Sequence, residues 1–205
     1  MNFDPFYLLY ALAGYLTGSI STAIITCKLM GLKDPRGVGS NNPGATNVLR
    51  HGGKKAAIIT LIGDMLKGLL PVLVVHQLHT EAATMAIALA ITGAGAFLGH
   101  LYPLFFNFKG GKGVATFYGV LLGFNWVAGL TAVAVWLLIA LVFKISAMAA
   151  LGSALSAPFI IWYFTGSEVL IATTVLMAVL LYWRHRSNIK NILSGTEDKI
   201  GVKEN

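Results

Sequence analysis

Charge is scarce in this chain. Only 11% of its 205 residues are Asp, Glu, Lys or Arg, against about a quarter in an ordinary soluble domain, which excludes a conventional water-facing surface. A single cysteine, Cys27, excludes an intrachain disulfide and argues against a thiolate metal site; no metal and no cofactor is expected. The start lacks the positive n-region of a cleavable signal. Its charge before the first apolar run is Asp4, and the run exceeds a signal core, so it reads as a retained span. No presequence rich in Arg and Ser is expected either. What the chain has instead is a hydrophobic fraction of 56%, gathered into runs near the length of a bilayer crossing, the mark of a polytopic membrane protein. The formal charge of +7 then reports topology rather than a nucleic-acid partner. Residues 1–205 are expected to form one all-α membrane domain, in contact with lipid and acting as a monomer.

Apolar segments lie near 5–27, 56–75, 82–102, 114–142, 145–164 and 168–183. The fourth is too long for one simple crossing and carries Asn125 and Trp126 at its centre. It reads either as one tilted helix or as two, about 112–124 and 126–142, meeting at a tight turn. Charge separates the two readings. Basic residues cluster at Lys28 to Lys55, Lys109 and Lys112, Lys144, and Arg184 onward to Lys203, whereas the connections near 76–82 and 163–168 carry Glu81 and Glu168. With seven spans and the N-terminus outside, every Lys and Arg except Lys67 falls on the cytoplasmic side, as the positive-inside rule asks. The expected architecture is therefore a seven-helix transmembrane bundle, N-terminus outside and C-terminus cytoplasmic.

That topology puts three polar stretches on one face. The first, "KDPRGVGSNNPGATNVLRHGGKK", is too rich in Gly, Pro and Asn for a regular helix. Its glycines permit an anion nest, Arg36 and Arg50 offer planar forks to phosphate, and Ser40, Asn41, Asn42, Thr46 and Asn47 add neutral donors. The second, "GHLYPLFFNFKGGKGVATFYG", sets Lys112 and several N–H groups at a positive helix end. It is no nucleotide P-loop, because Gly113 follows Lys112 and no strand precedes it. The third, "LLYWRHRSNIKNILSGTED", runs from the last span into an amphipathic segment bearing Ile189, Ile192 and Leu193. His185 and Asn188 share a face there if the helix continues. Against these readings stand plainer ones: Lys54, Lys55, Lys109, Arg184, Arg186 and Lys190 as snorkelling or stop-signal charges, and His100 as a packed histidine.

Asp64 and Lys67 lie inside the second span at a spacing that permits an ion pair. His76 and His79 sit near its outer end without ligand geometry. An anion transporter would also use a polar core and broken helices, but here the polar groups gather at one face and no inverted repeat is evident. An enzyme joining a phosphate compound to a membrane-dissolved partner is the stronger reading.

The three stretches, as "GSNNPGATNVLR" with the preceding "DPR", "GHLYPLFFNFKGGKGVAT" and "RHRSNIKNILSGTE", resemble the motifs of the bacterial glycerol-3-phosphate acyltransferases that take acyl-phosphate as donor (the PlsY family). The resemblance covers essentially the whole chain. It implies seven membrane helices, a cytoplasmic-side active site, and acyl transfer from acyl-phosphate to the 1-hydroxyl of glycerol 3-phosphate, giving lysophosphatidate and phosphate. Carried over by motif position, the catalytic residues fall on Ser40, Arg50, Lys112, His185 and Asn188. Substrate or phosphate binding falls on Gly39, Asn42, Gly44, Thr46, Asn47, Gly110, Gly111, Gly113 and Glu197. The His-x4-Asp motif of acyl-CoA-dependent acyltransferases is absent here, as it is from that family. One departure stands out: the family's Gly-Ser-Gly-Asn reads Gly39, Ser40, Asn41, Asn42. Asparagine tolerates positive φ better than other side-chain-bearing residues, so the turn is expected to survive.

Overall fold

The computed structural model describes residues 6–78 and 82–200; Asp4, His79, Glu81 and Lys203, named above, lie outside them. The described residues form α-helices and one 3-10 turn, with no strand. In order these are α1 (Phe6–Gly18), α2 (Thr22–Leu29), α3 (Ala45–Leu78), α4 (Ala82–Leu101), the 3-10 turn (Leu104–Phe106), α5 (Val114–Phe124), α6 (Trp126–Phe143), α7 (Ser146–Thr165), α8 (Glu168–Arg184) and α9 (Arg186–Leu193).

Lipid tails solvate an apolar helix face as well as another helix does, so bundles in membranes rely on close backbone approach at small residues. Two such seams hold this one. Gly14 and Gly18 of α1 face Gly95 and Gly99 of α4, and a Cβ on any of the four would collide with the opposing backbone. Gly68 of α3 and Gly119 of α5 repeat the device against the carbonyls of Thr116 and Met65. The core proper runs through Phe97, Leu101, Phe117, Leu121, Ile161 and Met177, all essentially inaccessible. The long apolar side chains of α6, α7 and α8 point outward to where acyl chains would lie.

The long fourth segment is two helices. Asn125 leaves the helical region and its Oδ1 accepts the Ala128 N–H at 2.9 Å, capping α6. With 11 residues, α5 is only about 17 Å long and is buried within the bundle over Thr116 to Phe124, apart from Leu122. Among the described residues five helical segments are long and apolar enough to cross a bilayer, or six if the bent α8–α9 pair counts as one.

Three details refine these expectations. The first apolar run, read as one span over 5–27, qualifies as one candidate span over Phe6–Leu29, with its helix interrupted at 19–21. The break frees the Ile20 carbonyl, which accepts from Lys67 Nζ at 2.8 Å, and Ser19 Oγ accepts the Leu104 N–H. Hydropathy cannot register a partner some fifty residues away. The first polar stretch is not wholly irregular: residues 45–52 are helical, and the ladder is interrupted only at Gly53, whose φ of 83° no other residue type adopts easily. Finally, α8 does not continue past His185; His185 and Asn188 instead share the first turn of α9, where the His185 carbonyl accepts the Ile189 N–H at 2.9 Å. His185 closes α8 and opens α9, and the two helices meet at 62°.

Candidate active site

The first polar stretch is organised around one buried amide. Asn47, in the first turns of α3, donates from Nδ2 to the carbonyls of Pro35 (2.9 Å), Val38 (3.0 Å) and Asn42 (3.1 Å). Its Oδ1 accepts the Ser40 N–H at 3.2 Å. The amide thus moulds the loop from inside and leaves the Ser40 side chain on the exposed surface. Gly39 and Asn41 both take positive φ, 53° each, so the asparagine does replace the family glycine in the left-handed region. Gly44 N–H bonds back to the Asn42 carbonyl. Thr46 Oγ1 lies 3.2 Å from Ser146 Oγ at the start of α7. Arg36 forms a bidentate pair with Asp34, so its fork is engaged locally. Arg50, mostly buried, donates to Asp198 Oδ2 at 2.9 Å.

The second stretch forms a tight glycine loop beneath α4. Gly110 and Gly111 leave no room for a Cβ: the first would strike the His100 carbonyl, and the second the His100 ring and the Pro43 carbonyl. The contact with Pro43 brings the first and second stretches together. Gly113, at φ 90°, caps the start of α5, so Lys112 stands at the positive end of that helix. Burial holds the Lys112 ammonium below the usual lysine range; Glu197 opposes that, and Arg184 and Arg50 add to it.

The third stretch closes the site. Lys112 Nζ donates to Asn188 Oδ1, and Asn188 Nδ2 donates to Glu197 Oε1 at 2.6 Å. An ammonium only donates and a carboxylate only accepts, so this chain fixes which way the Asn188 amide faces. His185 is buried and its Nδ1 lies 2.8 Å from the Leu181 carbonyl. That carbonyl can only accept, so Nδ1 carries the proton and Nε2 keeps its lone pair. Arg184 Nη2 and Nε donate to the carbonyls of Gly110 (2.8 Å) and Gly111 (3.2 Å). Among the described residues no three His, Cys, Asp or Glu side chains converge as metal ligands.

Arg50 and Arg184 both lie near enough to Lys112 to act on its charge, so cationic side chains from all three stretches gather beside the glycine loop. The sequence model of the family described as Glycerol-3-phosphate acyltransferase matches residues 8–195. The chain belongs to that family. The glycerol-3-phosphate acyltransferase of Thioalkalivibrio sulfidiphilus is 54% identical over 193 residues, covering 94% of this chain and 93% of the relative. That of Methylococcus capsulatus is 50% identical over 192 residues, covering 92% and 93%. Among solved structures, PlsY (YgiH), an integral membrane glycerol 3-phosphate acyltransferase, superposes in its glycerol 3-phosphate form with a TM-score of 0.87 at 35% identity. That match covers 95% of this chain and 96% of PlsY. The lysophosphatidic acid form gives 0.84 at 34% identity, with 95% of each chain covered. This chain is accordingly an integral membrane protein of the PlsY fold.

Sequence reasoning passed over two residues of this site. Arg184 reads as a stop-signal charge, yet it holds the glycine loop. Asp198 was not singled out, yet it pairs with Arg50 across 148 positions. Neither has a local signal, since each is defined by a partner on another element.

Proposed function

We propose that this protein transfers a fatty acyl group from acyl-phosphate to the 1-hydroxyl of sn-glycerol 3-phosphate, giving lysophosphatidate and inorganic phosphate. This is the first acylation of phospholipid synthesis. We place it in the bacterial inner membrane, with seven spans, the N-terminus outside, and the site and C-terminus cytoplasmic. The seven-span count takes α5 and α8 as crossings and keeps the basic connections on one side. The observation that carries the reading is the Lys112–Asn188–Glu197 chain set against Arg50 and the glycine loop. It joins all three polar stretches in one cationic site.

Acyl-phosphate is a mixed anhydride. The acceptor hydroxyl oxygen bonds to the acyl carbon, the bond from that carbon to the phosphate oxygen breaks, and phosphate leaves with the electron pair. Such a leaving group needs cationic and N–H stabilisation more than a strong general acid. Lys112 and the loop of Gly110, Gly111 and Gly113 hold the donor phosphate in this reading. Arg50 holds the phosphate of glycerol 3-phosphate and exchanges Asp198 for it, while Ser40 and Asn188 orient the acceptor. The hydroxyl proton passes to a phosphate oxygen of bound substrate or to Nε2 of His185. The Leu181 carbonyl gives the imidazole the orienting partner that a carboxylate supplies elsewhere.

Purified protein in lipid, supplied with synthetic acyl-phosphate and labelled glycerol 3-phosphate, is expected to release phosphate and lysophosphatidate one to one. Turnover with acyl-CoA and none with acyl-phosphate would overturn the donor assignment.

In this reading the acyl chain lies in an apolar groove near the site. The groove, of about 390 Å³, runs between α6, α7 and α9, lined by Phe143, Met148, Leu151, Ile189 and Ile192 among others. Ile189, one of its lining residues, directly follows Asn188 in α9. An indole at position 148 fills room for about two methylenes, each contributing roughly 0.8 kcal/mol when buried. Met148→Trp is therefore expected to shift the preference for long over short acyl-phosphates by on the order of tenfold. Unchanged chain-length selectivity would remove the groove from the donor path.

A further inference from the structure

The glycine loop has no side chains with which to hold itself, and glycine gives up more backbone freedom on ordering than any other residue. Its shape comes from two neighbours. From α8, Arg184 sets Nη2 and Nε against the carbonyls of Gly110 and Gly111 and lies 5.7 Å from the centre of the Tyr102 ring. From α4, the His100 carbonyl accepts the Gly111 N–H at 3.2 Å, and the His100 ring occupies the space a Gly111 side chain would need.

His100 is itself anchored below the loop. Thr116 Oγ1 donates to the Asp64 carbonyl at 2.8 Å and lies 3.0 Å from His100 Nδ1. With the hydroxyl proton spent on that carbonyl, Nδ1–H is the donor to Thr116 and Nε2 is left facing the loop. The buried Asp64–Lys67 pair stands behind both.

We propose that Arg184 is a positioning residue for phosphate binding, one jaw of a clamp whose other jaw is His100. This rests on the reading that the glycine loop holds a substrate phosphate. In a trans peptide the C=O and N–H point in opposite directions. Drawing the Gly110 carbonyl toward Arg184 turns the Gly111 N–H toward His100, where it is found. Drawing the Gly111 carbonyl the same way turns the Lys112 N–H away from Arg184, and in this proposal that N–H is presented to the phosphate. Two successive carbonyls need a planar fork with donors along one edge. A guanidinium has that shape and an ammonium does not. Arg184 therefore acts through the loop's peptide planes, and its positive charge alone is insufficient.

The test uses the full-length protein in lipid vesicles with Arg184→Lys, Arg184→Gln, Gly111→Ala and the Arg184→Gln/Gly111→Ala pair. Both Arg184 variants are expected to raise KM by about tenfold or more for the substrate whose phosphate the loop holds, leaving the other KM within about twofold. Their Tm should stay within about two degrees of wild type. Gly111→Ala should raise the same KM, and the pair should be no worse than the poorer single variant, because both act on one loop. A rise confined to acyl-phosphate supports the clamp and the donor site together. A rise confined to glycerol 3-phosphate supports the clamp and overturns the donor assignment. Arg184→Lys with wild-type constants overturns the proposal, as does a loss of rate with both KM values unchanged. Effects that multiply in the pair overturn it as well.

Discussion

Replacing Lys112 by alanine is expected to lower turnover on the order of a hundred- to a thousandfold while leaving the fold intact. The first part follows from placement. The ammonium stands at the start of α5, where the helix end is positive, and is held toward Asn188. In the proposed reaction, charge that develops on a departing phosphate there meets donors that need not reorganise, and loss of one such donor carries this magnitude in other acyl-transfer sites. The second part follows from the sign of the lysine's shift. Its pKa in the folded protein lies below the ordinary lysine value, chiefly through burial. Folding therefore weakens its hold on the proton, and the charge opposes folding at any pH below the lysine range. A neutral side chain removes that opposition. Initial rates at saturating substrate and thermal unfolding, measured on one preparation, check both parts. Near-normal turnover would take Lys112 out of the site, and a large fall in Tm would make it a structural residue.

Asp64→Asn should act the other way, on stability first. The carboxylate accepts from Thr22 Oγ1 at 2.6 Å and from Lys67 Nζ at 2.9 Å, with both charged side chains almost wholly buried. An amide keeps the shape but leaves Lys67 with neutral partners only. Removing one member of a buried pair costs roughly 3–5 kcal/mol, which for a chain of this length lowers Tm by about ten degrees. Asp64→Leu combined with Lys67→Met buries neither charge and should recover most of the loss. A single variant that melts with wild type would show that the pair holds nothing together. The loss should also reach the site, because the Asp64 backbone carbonyl anchors Thr116 and through it His100.

Features that depend on near neighbours could be read from the sequence. Asn125 amid apolar residues marks a break because its side chain caps the helix that follows. "GGKG" marks a cation at a helix start. The positive φ of Asn41 follows from what asparagine tolerates. Features that depend on distant partners were hidden. Residues 45–52 are helical despite their Gly and Asn because Asn47 finds its acceptors in the preceding loop rather than in its own helix. The break at Ile20 exists for Lys67, and Arg184 is distinguished from other basic residues at a membrane edge only by the two carbonyls it meets. Composition sees charge, whereas these roles are set by direction.

The bend at His185 has a consequence for how the protein encounters its substrates. It turns the chain from the direction of α8 by 62°, so that α9 presents Asn188 to the site and Ile189 and Ile192 to the apolar groove. On the proposed reading, the acyl donor arrives by lateral diffusion within a leaflet while the acceptor arrives from water. Saturation by the donor is then governed by its mole fraction in the membrane. Diluting the bilayer with inert lipid should slow the reaction at constant bulk concentration, as expected of a two-dimensional search coupled to a three-dimensional one.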